Sequence, residues 1–251
     1  MIKRLLLLLL AAEWILYPVQ AAQELIVSAA ASLTDAFTEL GKGFEQIHPD
    51  SKIIFNFAAS GALLAQIAQG APVDALACAD QETMDKAEKQ DLIAPDTRVN
   101  FARNRLVLVV PINSSLAIAS LTDLSKPEVK RIALGNPQTV PNGRYARAAL
   151  LAAKLWEDLT PKFIYVDNVR QSLSYVARSE VDAGFVFATD VAIEKNKVKM
   201  VLEEIAVPTP IVYPIAAVSK SHAPQLAQAF IDYVTSPVGQ RILTHYGFEK
   251  P

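Results

Sequence analysis

Five places in the 251-residue chain put small, hydroxyl or turn-forming residues where an apolar strand pattern gives way to a helical one. They are Ser32 before Leu33, Ser60-Gly61 before Ala62, Pro141-Asn142-Gly143 before Arg144, Asp167-Asn168 before Val169, and Ala188-Thr189-Asp190. A helix start exposes backbone N–H groups that have no partner within the helix, and it carries roughly half a positive charge. It is therefore suited to holding an anion. Each junction also reads as an ordinary cap, and Ser32 with Asp35 has the spacing of a capping box. Five junctions of one design permit an anion site if the fold gathers them; residue types alone go no further.

Other chemistry finds less support. His48, His222 and His245 stand far apart without cysteine partners or metal-ligand spacing, so no metal cation is expected. No Gly-x-Ser-x-Gly or Ser-x-x-Lys pattern occurs, and no glycine-rich loop ends in Lys-Ser or Lys-Thr. Asp80 and Asp190 are the nearest acidic candidates for proton transfer, and both are expected to cap or brace loops instead. Trp156, after an apolar helical run, is expected to pack. Cys78 is the only thiol, which excludes an intramolecular disulfide. With 24 basic and 26 acidic residues and no basic stripe, nucleic acid is not an expected partner.

The elements that must position the five junctions read as short β-branched runs alternating with longer helical patterns, an α/β arrangement on mainly parallel sheets. Strands are expected at 25–27, 52–57, 73–77, 106–110, 131–134, 164–166, 183–187 and 212–218. Helices are expected at 33–47, where Pro49 follows, at 61–69 before Gly70, and at 144–155, 169–178, 224–235 and 237–246, with a helix-like segment near Leu121. Ahead of these, Lys3 and Arg4 precede a short apolar stretch interrupted by Glu13, and small residues follow. That is the layout of a secretory leader, residues 1–21, whose apolar part is too short to span a bilayer. No cysteine stands just after it to take a lipid.

Around the same junctions the chain carries, in one order, Ala29-Ala30-Ala31-Ser32-Leu33-Thr34-Asp35-Ala36, Gly70-Ala71-Pro72-Val73-Asp74 and Ala79-Asp80-Gln81-Glu82-Thr83-Met84-Asp85. The series continues through Val140-Pro141-Asn142-Gly143-Arg144-Tyr145-Ala146, Asn168-Val169-Arg170 and His245-Tyr246-Gly247-Phe248. In these segments it resembles the bacterial molybdate-binding proteins of ABC transporters. The resemblance implies a type II periplasmic-binding fold: two α/β lobes, residues 22–104 with 213–251 and residues 105–212, joined by a two-strand hinge with a ligand cleft between them. The hinge strands would lie near 105–110 and 213–218. The resemblance implies no cofactor and, as ligand, molybdate or tungstate. Ser32 and Ser60 would donate hydroxyls, and Asn142 and Val169 backbone N–H groups. Where many members have a tyrosine that reaches the ligand, Phe187 brings a ring without the hydroxyl; Asn142, Thr189 or Arg144 is expected to take over that contact. The implied setting is the periplasm, the implied partner an inner-membrane ABC permease, and the expected state a monomer. A receptor for another tetrahedral oxyanion (sulfate, chromate or phosphate) and a cleft enzyme on the same fold are the alternatives.

Overall fold

The computed structural model describes residues 22–251. The expected leader lies outside the described residues. The chain begins with β1 (Gln23–Ala30), α1 (Thr34–Ile47), β2 (Ser51–Ala58), α2 (Ser60–Ala68), β3 (Ala75–Ala77), α3 (Gln81–Lys89) and β4 (Val99–Asn104). It continues with β5 (Leu106–Pro111), β6 (Ile132–Gly135), α4 (Pro141–Ala152), α5 (Trp156–Leu159), β7 (Phe163–Val166), α6 (Val169–Ala177), β8 (Ala183–Phe187), α7 (Ala188–Val191) and β9 (Val198–Leu202). Last come β10 (Ile211–Ala217), α8 (Pro224–Thr235) and α9 (Pro237–His245).

Two five-stranded sheets result, in the orders β2-β1-β3-β10-β4 and β7-β6-β8-β5-β9. The chain passes between them at Arg105 and again over residues 203–210. The mainly parallel arrangement expected from the sequence is corrected here: β10 runs antiparallel to β3 and β4, and β5 antiparallel to β8 and β9. The crossing connections are the reason, because a strand that follows such a crossing enters its new sheet in the opposite sense. β5 and β10 each lie wholly within one sheet, so the crossings fall beside the strands expected to make them, at Arg105 and residues 203–210.

Local patterns account for the elements. From Leu25 onward β1 is almost wholly buried, as a central strand covered on both faces must be. In α1 the residues Ala36, Phe37, Leu40 and Phe44 form one buried stripe, and the helix ends before Pro49. Phe37 packs against Phe101 at 5.6 Å and Phe230 at 6.0 Å between ring centroids, tying α1 and α8 to β4. Burial of each such ring contributes about 1.5–3 kcal/mol. Gly70, with φ of +88°, ends α2 in the left-handed region that favours glycine. Trp156 packs on Phe163 at 4.8 Å.

Candidate functional site

Between the two sheets lies a small cavity. One side is built from the ends of β1 and β2 and the starts of the helices after them: Ala30, Ala31, Ser32, Ala58, Ala59 and Ser60, with Ala79. Val140, Pro141, Asn142, Asn168, Val169 and Phe187, from the second sheet, form the other. The starts of α2, α4 and α6 therefore meet at one point, which places three partial positive charges around it. Alanines dominate this wall, and their small side chains leave its backbone open to the cavity.

All five residues expected at a ligand, Ser32, Ser60, Asn142, Val169 and Phe187, line this one cavity. Each is buried. Ser60 is the first residue of α2, and its Oγ accepts from the N–H of Ala79 at 3.0 Å, which leaves its proton to donate elsewhere. Asn142 opens α4 after Pro141, whose missing N–H costs nothing at that position. Its side-chain Nδ2 donates to Phe185 O at 2.9 Å, and its Oδ1 has no hydrogen-bond partner among the described residues. Asn168 caps α6 by accepting from the N–H of Gln171 at 3.0 Å, which sets the N–H of Val169 at the helix start. Phe187 ends β8 with its ring edge-on to Tyr213 at 5.9 Å and Tyr145 at 6.4 Å.

Two expectations about neighbouring residues are corrected. Ser32 does not close a capping box with Asp35. It sits in a 3-10 turn, Ala31–Leu33, ahead of α1, and its Oγ lies 3.0 Å from the hydroxyl of Tyr213. Nor does Arg144 or Thr189 supply the donor that Phe187 lacks. Arg144 is bound to Asp80 at 2.6 Å, to the Thr83 hydroxyl and to the carbonyls of Pro137 and Gln138. Thr189 accepts from Asn104 at 2.9 Å, and neither residue lines the cavity. Asn142 lines the cavity and spends one of its two Nδ2 protons on Phe185 O, so of the three neighbours it alone stays at the place of the missing contact.

The acidic candidates brace the structure as expected. Asp80 caps α3 through the N–H of Thr83 and pairs with Arg144. Asp190 accepts from the N–H of Phe187 at 3.2 Å and from Arg170 Nε at 2.7 Å. Burial pushes its carboxyl up to about 6, against the opposing pull of the Arg170 guanidinium. No titratable side chain is among the residues that line the cavity. Among the described residues no group of three or more His, Cys, Asp or Glu could hold a metal ion.

The two sides of the cavity are also joined directly. Arg144 of α4 reaches Asp80, and Arg170 of α6 reaches Asp35 of α1 at 2.7 Å. Between these pairs the N–H of Gly61 donates to Thr139 O at 3.0 Å. A Cβ at position 61 would fall 2.6 Å from that carbonyl oxygen, so this approach requires glycine. Sequence reasoning missed both ion pairs and the Tyr213–Ser32 contact. The only signal for the pairs was that Arg144, Arg170, Asp35 and Asp80 all stand within the matching segments.

Comparison with known proteins agrees with this architecture. Residues 25–249 match the family model described as bacterial extracellular solute-binding protein. The chain is 38% identical over 225 residues, 89% of this chain and 85% of the relative, to YvgL of Bacillus subtilis, provisionally described as an ABC transporter substrate-binding lipoprotein. It is 34% identical over 230 residues, 90% of this chain and 88% of the relative, to the molybdate-binding protein ModA of Escherichia coli. Among solved structures, the periplasmic molybdate-binding protein of Azotobacter vinelandii superposes with a TM-score of 0.78 at 23% identity, over 90% of this chain and 99% of that one. The two-lobed α/β fold of type II periplasmic-binding proteins, expected from the resemblance, is the fold of this chain. The chain belongs to the bacterial extracellular solute-binding proteins, in the group that includes the molybdate-binding proteins ModA.

Proposed function

We propose that this protein is a periplasmic receptor that captures molybdate or tungstate and delivers it to an inner-membrane ABC permease. The observation that carries the proposal is the convergence of Ser32, Ser60, Asn142, Val169 and Phe187, drawn from both sheets, on one small cavity. The two serines supply hydroxyls, and the starts of α4 and α6 supply the N–H groups of Asn142 and Val169. Such a lining binds a dianion through hydrogen bonds to charged oxygens, each worth about 1.5–3 kcal/mol, and through three helix starts. Hydroxyls and amides do not shuttle protons, which supports binding over catalysis. The molybdate-binding relatives support the choice of anion.

In this account residues 22–104 and 213–251 form one lobe and residues 105–212 the other, and the crossings at Arg105 and 203–210 serve as the hinge. The mature chain, released from its leader, works as a monomer. Molybdate calorimetry on the wild-type chain and on Ser32→Ala and Ser60→Ala tests the assignment. Each alanine should cost about 1.5–3 kcal/mol of binding while circular dichroism stays native. Full affinity in either variant would remove that serine from the site.

A further inference from the structure

A directed chain of hydrogen bonds leads from the crossing between the sheets to the cavity. Asn104, the buried last residue of β4, accepts the N–H of Arg105 on its Oδ1 at 2.9 Å, and this fixes which way its amide faces. Its Nδ2 then has two protons to give. One goes to Thr189 Oγ1 at 2.9 Å and the other to the hydroxyl oxygen of Tyr213 at 3.3 Å. Tyr213 is fully buried, and its hydroxyl has one proton of its own. Among the described residues the only acceptor within reach of that proton is Ser32 Oγ, at 3.0 Å. Ser32 is thus a forced acceptor on its protein side, and its own proton is left to point into the cavity that it lines.

We propose that Tyr213, aimed by Asn104, is a positioning residue that sets ligand specificity by holding the Ser32 hydroxyl as an obligatory donor. The proposal rests on the oxyanion-receptor function given above. A hydroxyl so held suits a ligand oxygen that only accepts. An oxyanion that still carries a proton would set one donor against another and leave both unpaired in a buried place. Ser60 is held in the same sense by a different group, the N–H of Ala79. Without the Tyr213 hydroxyl, Ser32 could turn and accept from a protonated ligand.

The experiment is a double-mutant cycle of Tyr213→Phe and Ser32→Ala on the mature chain. Molybdate affinity is read by calorimetry, and inorganic phosphate, which keeps a proton near neutral pH, is read by competition. Tyr213→Phe retains the ring that packs on Phe101, Phe187 and Phe248. It should weaken molybdate by roughly tenfold and shift the molybdate-to-phosphate preference toward phosphate. In the Ser32→Ala background it should change little further. Should Tyr213→Phe fail to fold, Asn104→Leu leaves the tyrosine but removes the amide that orients it, and should give the same shift in smaller measure. An equal loss in both serine backgrounds, or an unchanged preference between the two anions, overturns the proposal. If the wild-type chain binds no oxyanion at all, the functional proposal fails and this one with it; an additive cycle on a chain that binds molybdate defeats this one alone.

Discussion

Phe187 is the residue at which the cavity and the resemblance part company. Its ring lines the cavity wall, and two of the three neighbours expected to replace the absent hydroxyl lie off that wall and are engaged elsewhere: Arg144 with Asp80 and Thr189 with Asn104. A hydroxyl restored at this ring therefore supplies a donor that neither of these two side chains supplies. Phe187→Tyr should tighten molybdate binding by about 1.5–3 kcal/mol, the worth of a hydrogen bond to a charged group. Calorimetry reads it, and a loss of affinity would mean that the site has no room for the added oxygen. The serines were legible in the sequence only as residues at strand-to-helix junctions, and their assignment to a ligand came from the resemblance. Tyr213 was not legible, since its partner Ser32 stands 181 positions away and nothing local to a strand tyrosine tells where its hydroxyl points.

Helix starts and the ion pairs beside them act at the scale of elements. The Arg144–Asp80 pair, with side chains 13% and 4% exposed, joins α4 to the start of α3 across the cleft, and the more exposed Arg170–Asp35 pair joins α6 to α1. Both join the two sides of the cavity, so for the proposed ligand they should govern departure more than arrival. Arg144→Ala should raise koff strongly with kon little changed, because breaking a buried pair costs about 3–5 kcal/mol. Asp35→Asn should do the same weakly, at below about 1 kcal/mol. Stopped-flow fluorescence would show the split, and an effect confined to kon would contradict it.

Asp190 ties the end of β8 to α6, and its raised carboxyl has a consequence of definite sign. Between the ordinary carboxylate value of about 4 and its own value of about 6, the folded chain holds this proton more tightly than the unfolded chain does. Its contribution to stability is present below about pH 4 and is lost as pH rises through about 6. The unfolding free energy of wild type minus that of Asp190→Asn should therefore fall across that window in urea titrations; a rise would contradict the assignment. The elements missed in the sequence share a physical cause. β4 and β9 are edge strands that mix polar residues into their pattern, and α3 carries charge over most of its length. Hydrophobic periodicity marks elements covered on a full face, and these are not.

Over the whole molecule, the alternation of strands and helices revealed an α/β chain, while the two lobes came from the resemblance. The sense of the crossing strands was hidden, because antiparallel entry depends on connections that pass between sheets rather than on any residue pattern. The cavity exists only because both lobes contribute to it: Ser32 and Ser60 come from one side, Asn142 and Val169 from the other. If these groups are the ligand's donors, as proposed, they reach it together only when the lobes close, and closure around fixed donors would select for anion size. The most direct measurement is calorimetry of the mature chain against molybdate, tungstate, sulfate and phosphate in one buffer. Molybdate and tungstate should bind far more tightly than sulfate, because a smaller anion leaves buried donors unpaired at about 1–3 kcal/mol each. Sulfate binding as tight as molybdate, or tighter, would contradict the account.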